Sequence, residues 1–184
     1  MQAVGDDELL CGKVLWRMRA EFITPFLGAL SRTMASTLGC EVHAGALSIQ
    51  CEKFHEVSAI VGISGKAVGT MILSLSEHLA THIAAKMLMV ETDGFNIDAV
   101  DAVGELATQI ALGAKQELAD YELLTTLACV VTGRHHRVQF PSHVTPLSVV
   151  CQTDWGPLRI EVGLAPAPQL AELNSVVRSS LSVC

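Results

Sequence analysis

The residues best suited to chemistry lie on one predicted helix. Asp101, Glu105 and Thr108 recur at intervals of four and three residues, which places two carboxylates and a hydroxyl on one helix face. Gln109 carries an amide one position further on. A helix turns about 100° per residue, so we expect Gln109 to point off this stripe unless a π-type bulge rotates it. A polar stripe of this kind is also typical of a helix face in contact with water.

Two histidine pairs are potential metal ligands. His78 and His82 are four residues apart, so both rings could reach one metal ion from the same helix face. No third ligand is evident, which favours a surface or packing role, and the same applies to His135 and His136 at a predicted hairpin turn. The sequence has no Ser/His/Asp or Cys/His nucleophile motif and no phosphate-binding loop of the Walker type. We therefore predict no metal site.

The cysteine pattern is typical of a cytoplasmic protein. The cysteines form no C-x-x-C pair and have mostly apolar neighbours, which predicts buried, reduced thiols. Asp6, Asp7 and Glu8 stand where a secretory signal would be basic, and no apolar run approaches the ~18 residues of a membrane span. We expect a cytoplasmic protein that does not associate with membranes. The cysteines are Cys11, Cys40, Cys51, Cys129, Cys151 and Cys184.

Composition favours one acidic globular domain. The 184 residues are long enough for one domain, and half of them are apolar, which is ample for a core. Aromatic residues make up only 4%, so that core must consist mainly of aliphatic side chains. The net charge of -7 argues against nucleic-acid binding, which requires clustered Lys and Arg.

The periodicity of apolar residues predicts an α+β domain. We predict a first helix that ends at Gly39, with a kink or a new start at Pro25, a second that opens at Ser76-Glu77, and a third capped by Asp98 that runs to about Asp120. Runs of strands joined by short turns predict antiparallel pairing and two layers. Each half is a helix followed by strands, which predicts a pseudo-twofold internal duplication. The predicted strands are 42–50, 57–64, 68–75, 124–132, 144–152 and 158–164, and the first helix covers 7–38.

Two stretches resemble the CheC/CheX family of chemotaxis phosphatases. Residues 57–88, VSAIVGISGKAVGTMILSLSEHLATHIAAKML, are similar to the central hairpin and following helix of CheX. Residues 101–118, DAVGELATQIALGAKQEL, lie at the position of the family's signature helix. Weaker similarity extends from residues 22–26 to Trp155-Gly156, in the expected order.

This resemblance implies a homodimer that dephosphorylates a phosphorylated receiver domain of the CheY type. The family's site is a Glu with an Asn three residues later, often preceded by an acidic residue four positions before the Glu. The CheC branch carries this pair on two helices and the CheX branch on one. The first predicted helix here contains no Glu-x-x-Asn, which matches the CheX branch.

Carried over to this sequence, the resemblance assigns Glu105 and, at the position of the family's Asn, Thr108 to catalysis, and Asp101 to the preceding acidic position. We predict that Asp101 and Gln109, the neighbouring amide, bind the receiver. Asp101 and Glu105 match the family pattern, whereas Thr108 stands where the family has Asn. Water attacks the acyl phosphate in line, the receiver supplies Mg²⁺ and a lysine, and the phosphatase supplies a carboxylate and an amide. The protein then needs no cofactor of its own. A threonine hydroxyl is shorter than an amide, so a non-catalytic module that binds a receiver or another signalling partner is the alternative.

The resemblance ends before the chain does. We expect a CheX-like domain over residues 8–164 and an extension over 165–184. Apolar residues spaced by three and four predict a short amphipathic helix over 169–182 that docks on a protein surface, and a frayed tail is the alternative.

Overall fold

The computed structural model describes residues 21–49, 55–90, 94–140 and 144–167. Within these ranges lie three α-helices, α1 to α3, and seven strands, β1 to β7. The predicted helix over 169–182, and the part of the first helix before residue 21, lie outside the described residues. The helices are α1 (21–33, continued by a π-helical turn Met34–Leu38), α2 (Glu77–Leu88) and α3 (Ile97–Glu117), with a 3₁₀ turn Ala119–Tyr121. The strands are β1 (Val42–Ser48), β2 (His55–Ser64), β3 (Ala67–Leu75), β4 (Leu124–Thr125), β5 (Cys129–His136), β6 (Leu147–Thr153) and β7 (Gly156–Pro166).

Two of the predicted helix ends are confirmed and one is wrong. Gly39 ends the first helical segment in the left-handed conformation, at φ 65°, and its N–H donates to the Ala35 carbonyl. The Ser76 hydroxyl caps α2 by accepting from the Leu79 N–H at 3.2 Å. For α3, however, Asn96 and not Asp98 is the cap. The Asn96 Oδ1 accepts from the Ala99 N–H at 3.1 Å, so Asp98 lies in the first turn. Pro25 does not interrupt α1, because residues 21–33 are helical throughout.

The strands form one antiparallel sheet in the order β1-β6-β7-β3-β2, with β4 and β5 both on the outer edge of β2. The predicted strand over 124–132 is therefore two strands. Between them, the Thr126 hydroxyl accepts from the Gly62 N–H at 2.9 Å, so a side chain replaces a backbone partner at this point. The α+β antiparallel architecture itself is confirmed.

The strand order has an internal symmetry. If β1, β2 and β3 are exchanged with β5, β6 and β7, the order β1-β6-β7-β3-β2-β5 reads the same in reverse. This topology is the one that a duplicated helix-and-strands unit would produce. The duplication itself stays a prediction.

The helices cover one face of the sheet and bury most of the apolar residues. Alternate residues of β2 point into this core, including Val57, Ala59 and Val61. The first and third helices come very close: a Cβ built on Gly113 of α3 would lie 3.0 Å from the Ala29 Cβ of α1. No described helix has the length and apolar character needed to span a membrane.

Hydrogen bonds link polar side chains on the other face of the sheet. The hydroxyls of Ser58 and Ser74 lie 2.8 Å apart, and the His136 Nε2 lies 2.8 Å from the Ser58 hydroxyl. The His136 ring thus joins this polar cluster on the sheet, and its Nδ1 lies 2.8 Å from the Gly133 carbonyl oxygen.

Only some of the cysteine expectations are confirmed. Cys40 and Cys151 are buried free thiols, whereas Cys129 is exposed, contrary to the prediction. Cys129 is the first residue of β5, an edge strand that pairs on one side with β2, which leaves its side chain in contact with water.

Candidate functional site

The candidate site is the exposed face of α3. The opposite side of this helix is apolar and fully buried, which fixes the rotation of the helix on the sheet. That rotation leaves Asp101 and Glu105 exposed, as predicted, with Thr108 and Gln109 half-buried beside them. The buried residues are Ala99, Ala102, Val103, Leu106, Ala107, Ile110, Ala111 and Ala114.

Gln109 and Glu105 form a hydrogen-bonded pair. The Gln109 Nε2 donates to the Glu105 Oε1 at 2.9 Å, and α3 is a regular α-helix with no π-bulge. The prediction that Gln109 points off the stripe is therefore wrong. Residues four apart on a helix differ by only about 40° around its axis, and the flexible glutamine chain spans that offset. The feature of the sequence that could have predicted this pair is the Glu-x-x-x-Gln spacing.

Thr108 makes a different contact. Its hydroxyl donates to the Gly104 carbonyl at 2.9 Å, one turn earlier in the same helix. The single hydroxyl proton of Thr108 is therefore used by the backbone. The structure thus places Asp101, Glu105, Thr108 and Gln109 on one face, but joins the carboxylate of Glu105 to the amide and not to the hydroxyl.

The face is acidic at its N-terminal end. Asp98, Asp101 and Glu105 are all exposed within the first nine residues of α3. Among the described residues the ion pairs are Arg32 with Glu117 and Lys66 with Glu122, so no described basic side chain neutralises these three carboxylates. Such a stripe favours the approach of a cationic group.

Apolar side chains lie next to the acidic stripe. Leu112, two turns after Glu105 on the same face, is 45% exposed. Gly104 packs near Ala128 and Val130, and Leu127, the neighbour of Ala128, is 83% exposed. Sequence patterning did not identify Leu127, because its exposure depends on the break between β4 and β5.

The described residues contain no cluster of three or more potential metal-ligating side chains. His78 and His82 do lie together, with ring centroids 4.5 Å apart, and the His82 ring lies 6.2 Å from that of Trp155. The His82 Nδ1 is 3.1 Å from the His78 carbonyl oxygen. These contacts fit the packing role that the sequence favoured.

Comparison with known proteins identifies the class. The sequence model of the family described as "Chemotaxis phosphatase CheX" matches residues 57–152, just over half of this chain. The chain therefore belongs to the CheX family.

Individual relatives agree with this assignment. The CheY-P phosphatase CheX of Thermotoga maritima is 27% identical over 145 residues, covering 75% of this chain and 94% of the relative. The crystal structure of chemotaxis protein CheX from Vibrio vulnificus superposes with a TM-score of 0.73 at 26% identity, over 79% of this chain and 99% of the other. A CheX-CheY-BeF₃-Mg²⁺ complex from Borrelia burgdorferi shares the fold with a TM-score of 0.67 at 22% identity, over 78% of this chain and 97% of the other.

Proposed function

We propose that this protein hydrolyses the aspartyl phosphate on the receiver domain of a CheY-type response regulator. The observation that carries the proposal is the exposed Glu105 carboxylate, which lies in an acidic stripe and is hydrogen-bonded to an amide 2.9 Å away. Two relatives support it: the Thermotoga protein is described as a CheY-P phosphatase, and the Borrelia protein forms a complex with CheY.

The reaction needs few groups from this chain. Water attacks phosphorus in line, the bond from phosphorus to the aspartate oxygen breaks, and the products are the free carboxylate and inorganic phosphate. The receiver supplies Mg²⁺ and a lysine, so the protein brings no cofactor of its own. Its part is to position groups around the acyl phosphate, which can account for a large share of a phosphoryl-transfer rate.

Each residue of the stripe has a role in this proposal. Glu105 contacts the receiver lysine, and the neighbouring carboxylate of Asp101 strengthens the attraction for that cation. Thr108 occupies the position of the family's Asn, and Gln109 contacts the receiver beside Glu105. Leu112 extends the contact surface with an exposed apolar side chain.

The test measures the lifetime of phosphorylated receivers from the same genome, with and without the protein. We expect the lifetime of the cognate receiver to shorten, and Glu105→Ala to reduce the rate by about 10²- to 10³-fold. Glu105 is exposed on a helix, where Ala is well tolerated, so the fold is retained. Gln116→Ala, at another exposed position of α3, is the matched control. If the protein shortened no receiver's lifetime, the proposed function would be wrong; if Glu105→Ala kept the wild-type rate, the site would be wrong.

One observation favours a second function. Thr108 stands in place of Asn, and its hydroxyl proton is used by the Gly104 carbonyl, so this position lacks a free donor. A non-catalytic module would bind the BeF₃⁻-activated receiver without shortening the phosphoryl lifetime. The same assay, combined with a binding titration, separates the two functions.

We also propose that the protein acts in the cytoplasm as a homodimer. Within the described ranges β1 pairs with one other strand, β6, so its outer side faces no other described strand of the sheet. A second copy could cover such an edge. Sedimentation at high micromolar concentration is expected to give twice the chain mass of 19.6 kDa, and a monomer under these conditions would contradict the dimer.

A further inference from the structure

We infer that Gln109 supplies the amide that orients the attacking water in this chain, in place of the missing Asn at position 108. The inference rests on the proposed phosphatase function and concerns the same site. It arises from two hydrogen bonds of neighbouring residues: Gln109 to Glu105 and Thr108 to the Gly104 carbonyl, both at 2.9 Å.

Thr108 lacks what a water-orienting group needs. Such a group must hold the water by more than one contact point so that an oxygen lone pair faces phosphorus. The Thr108 hydroxyl has a single proton, which is donated to the helix backbone, and the hydroxyl therefore has only acceptor capacity left. Its side chain is also shorter than that of Asn or Gln.

Gln109 has the required groups and lies in the right place. A primary amide has two N–H donors and a carbonyl acceptor. One N–H is donated to Glu105, which leaves the second N–H and the carbonyl oxygen for other partners. The carbonyl can accept a hydrogen bond from the attacking water, whose oxygen is then directed away from the helix toward the receiver.

The helix geometry allows Gln109 to take the role of an Asn at position 108. Position 109 lies about 40° from Glu105 around the helix axis and position 108 about 60° on the other side, so both flank the carboxylate at similar angles. Position 109 is one residue further along the axis, and glutamine has one methylene more than asparagine. The longer side chain of Gln109 folds back toward the Glu105 carboxylate and forms a hydrogen bond with it.

The step balances without any further reactant. The water oxygen forms a bond to phosphorus as the bond from phosphorus to the aspartate oxygen breaks. The electron pair of that bond stays on the aspartate, and the proton lost by the water passes to the phosphate product. Gln109 donates and accepts hydrogen bonds only, and is unchanged at the end.

The experiment compares three variants in the receiver assay. Gln109→Met keeps the length of the side chain but removes the amide, and Gln116→Met is the matched control at an exposed position of the same helix. We expect Gln109→Met to lower kcat by about 10²-fold, with the affinity for the BeF₃⁻-activated receiver changed less than threefold, and Gln116→Met to leave both unchanged. Thr108→Val is expected to retain at least ten times the kcat of Gln109→Met.

The outcomes distinguish this inference from the proposed function. A wild-type kcat in Gln109→Met, together with a large loss in Glu105→Ala, would overturn the role of Gln109 and leave the phosphatase function standing. A loss in Thr108→Val equal to that in Gln109→Met would also overturn it. A loss of receiver affinity in Gln109→Met that fully explains its lower activity would show that Gln109 only binds the receiver. If the wild-type protein accelerates no receiver, both proposals fail.

Discussion

The Gln109 amide nitrogen lies 2.9 Å from a carboxylate oxygen of Glu105, on a helix face that is open to solvent. Hydrogen bonds between side chains four residues apart on a helix stabilise it by only about 0.2–0.5 kcal/mol. This bond therefore orders the two side chains before a partner arrives, but it can be exchanged at little cost. A receiver lysine can take over the Glu105 carboxylate and free the N–H that Gln109 donates to it.

Thr108→Asn is expected to rescue a protein that lacks the Gln109 amide. We predict that Thr108→Asn alone raises the phosphatase rate, because it restores the Glu-x-x-Asn pair of the family. In the Gln109→Met background, Thr108→Asn should raise kcat at least tenfold. The measurement is the lifetime of the phosphorylated receiver at saturating concentration. A double variant as slow as Gln109→Met would show that position 108 cannot present an amide to the water.

The sequence alone predicted the elements that depend on local chemistry. The apolar stripe of α3 identified the buried face, and so the exposure of Glu105, because burial of that stripe determines the rotation of the helix. Gly39 and Ser76 were recognisable as helix ends, because a left-handed glycine and a capping hydroxyl act within one turn.

The features that the sequence did not predict depend on choices between similar local interactions. Asn96 and Asp98 are both good caps, and the side chain that captures the Ala99 N–H decides where α3 begins. The strand over 124–132 has a continuous β pattern, but at Thr126 the side-chain hydroxyl, and not a backbone carbonyl, accepts from the Gly62 N–H, while the Thr126 N–H still donates to the Gly62 carbonyl. At the site, the step of about 100° from Thr108 to Gln109 led to the wrong prediction, because the four-residue spacing from Glu105 places Gln109 only about 40° from that carboxylate, within reach of its long side chain.

Gly113 is predicted to be essential for the packing of α1 against α3. A Cβ at this position would lie 3.0 Å from the Ala29 Cβ, and Ala29 is fully buried, so the helices would have to separate. We expect Gly113→Val to lower the free energy of unfolding by about 1–3 kcal/mol, as overpacked cores do. The measurement is the urea midpoint at constant m-value, with Gln116→Ala on the exposed face of α3 as the control. A Gly113→Val protein as stable as wild type would contradict the close approach of the two helices.

Cys151 is predicted to make the protein less stable in alkaline solution. It lies in β6, fully buried opposite Ala44 and Leu158, and burial raises the pKa of its thiol from 9.0 to about 11. Below pH 9 the thiol is neutral in both the folded and the unfolded chain and contributes no pH dependence. Between pH 9 and about pH 11 the unfolded chain releases the proton while the folded chain keeps it, so this contribution to stability is lost as the pH rises.

We expect the urea midpoint of the wild-type protein to fall more between pH 8 and pH 10.5 than that of Cys151→Ala, whose absolute stability is lower because of the cavity. Cys129→Ala, which removes an exposed thiol, should retain the wild-type pH dependence. Equal pH dependence in wild type and Cys151→Ala would contradict this prediction, because it would show that the Cys151 thiol titrates alike in the folded and unfolded chains.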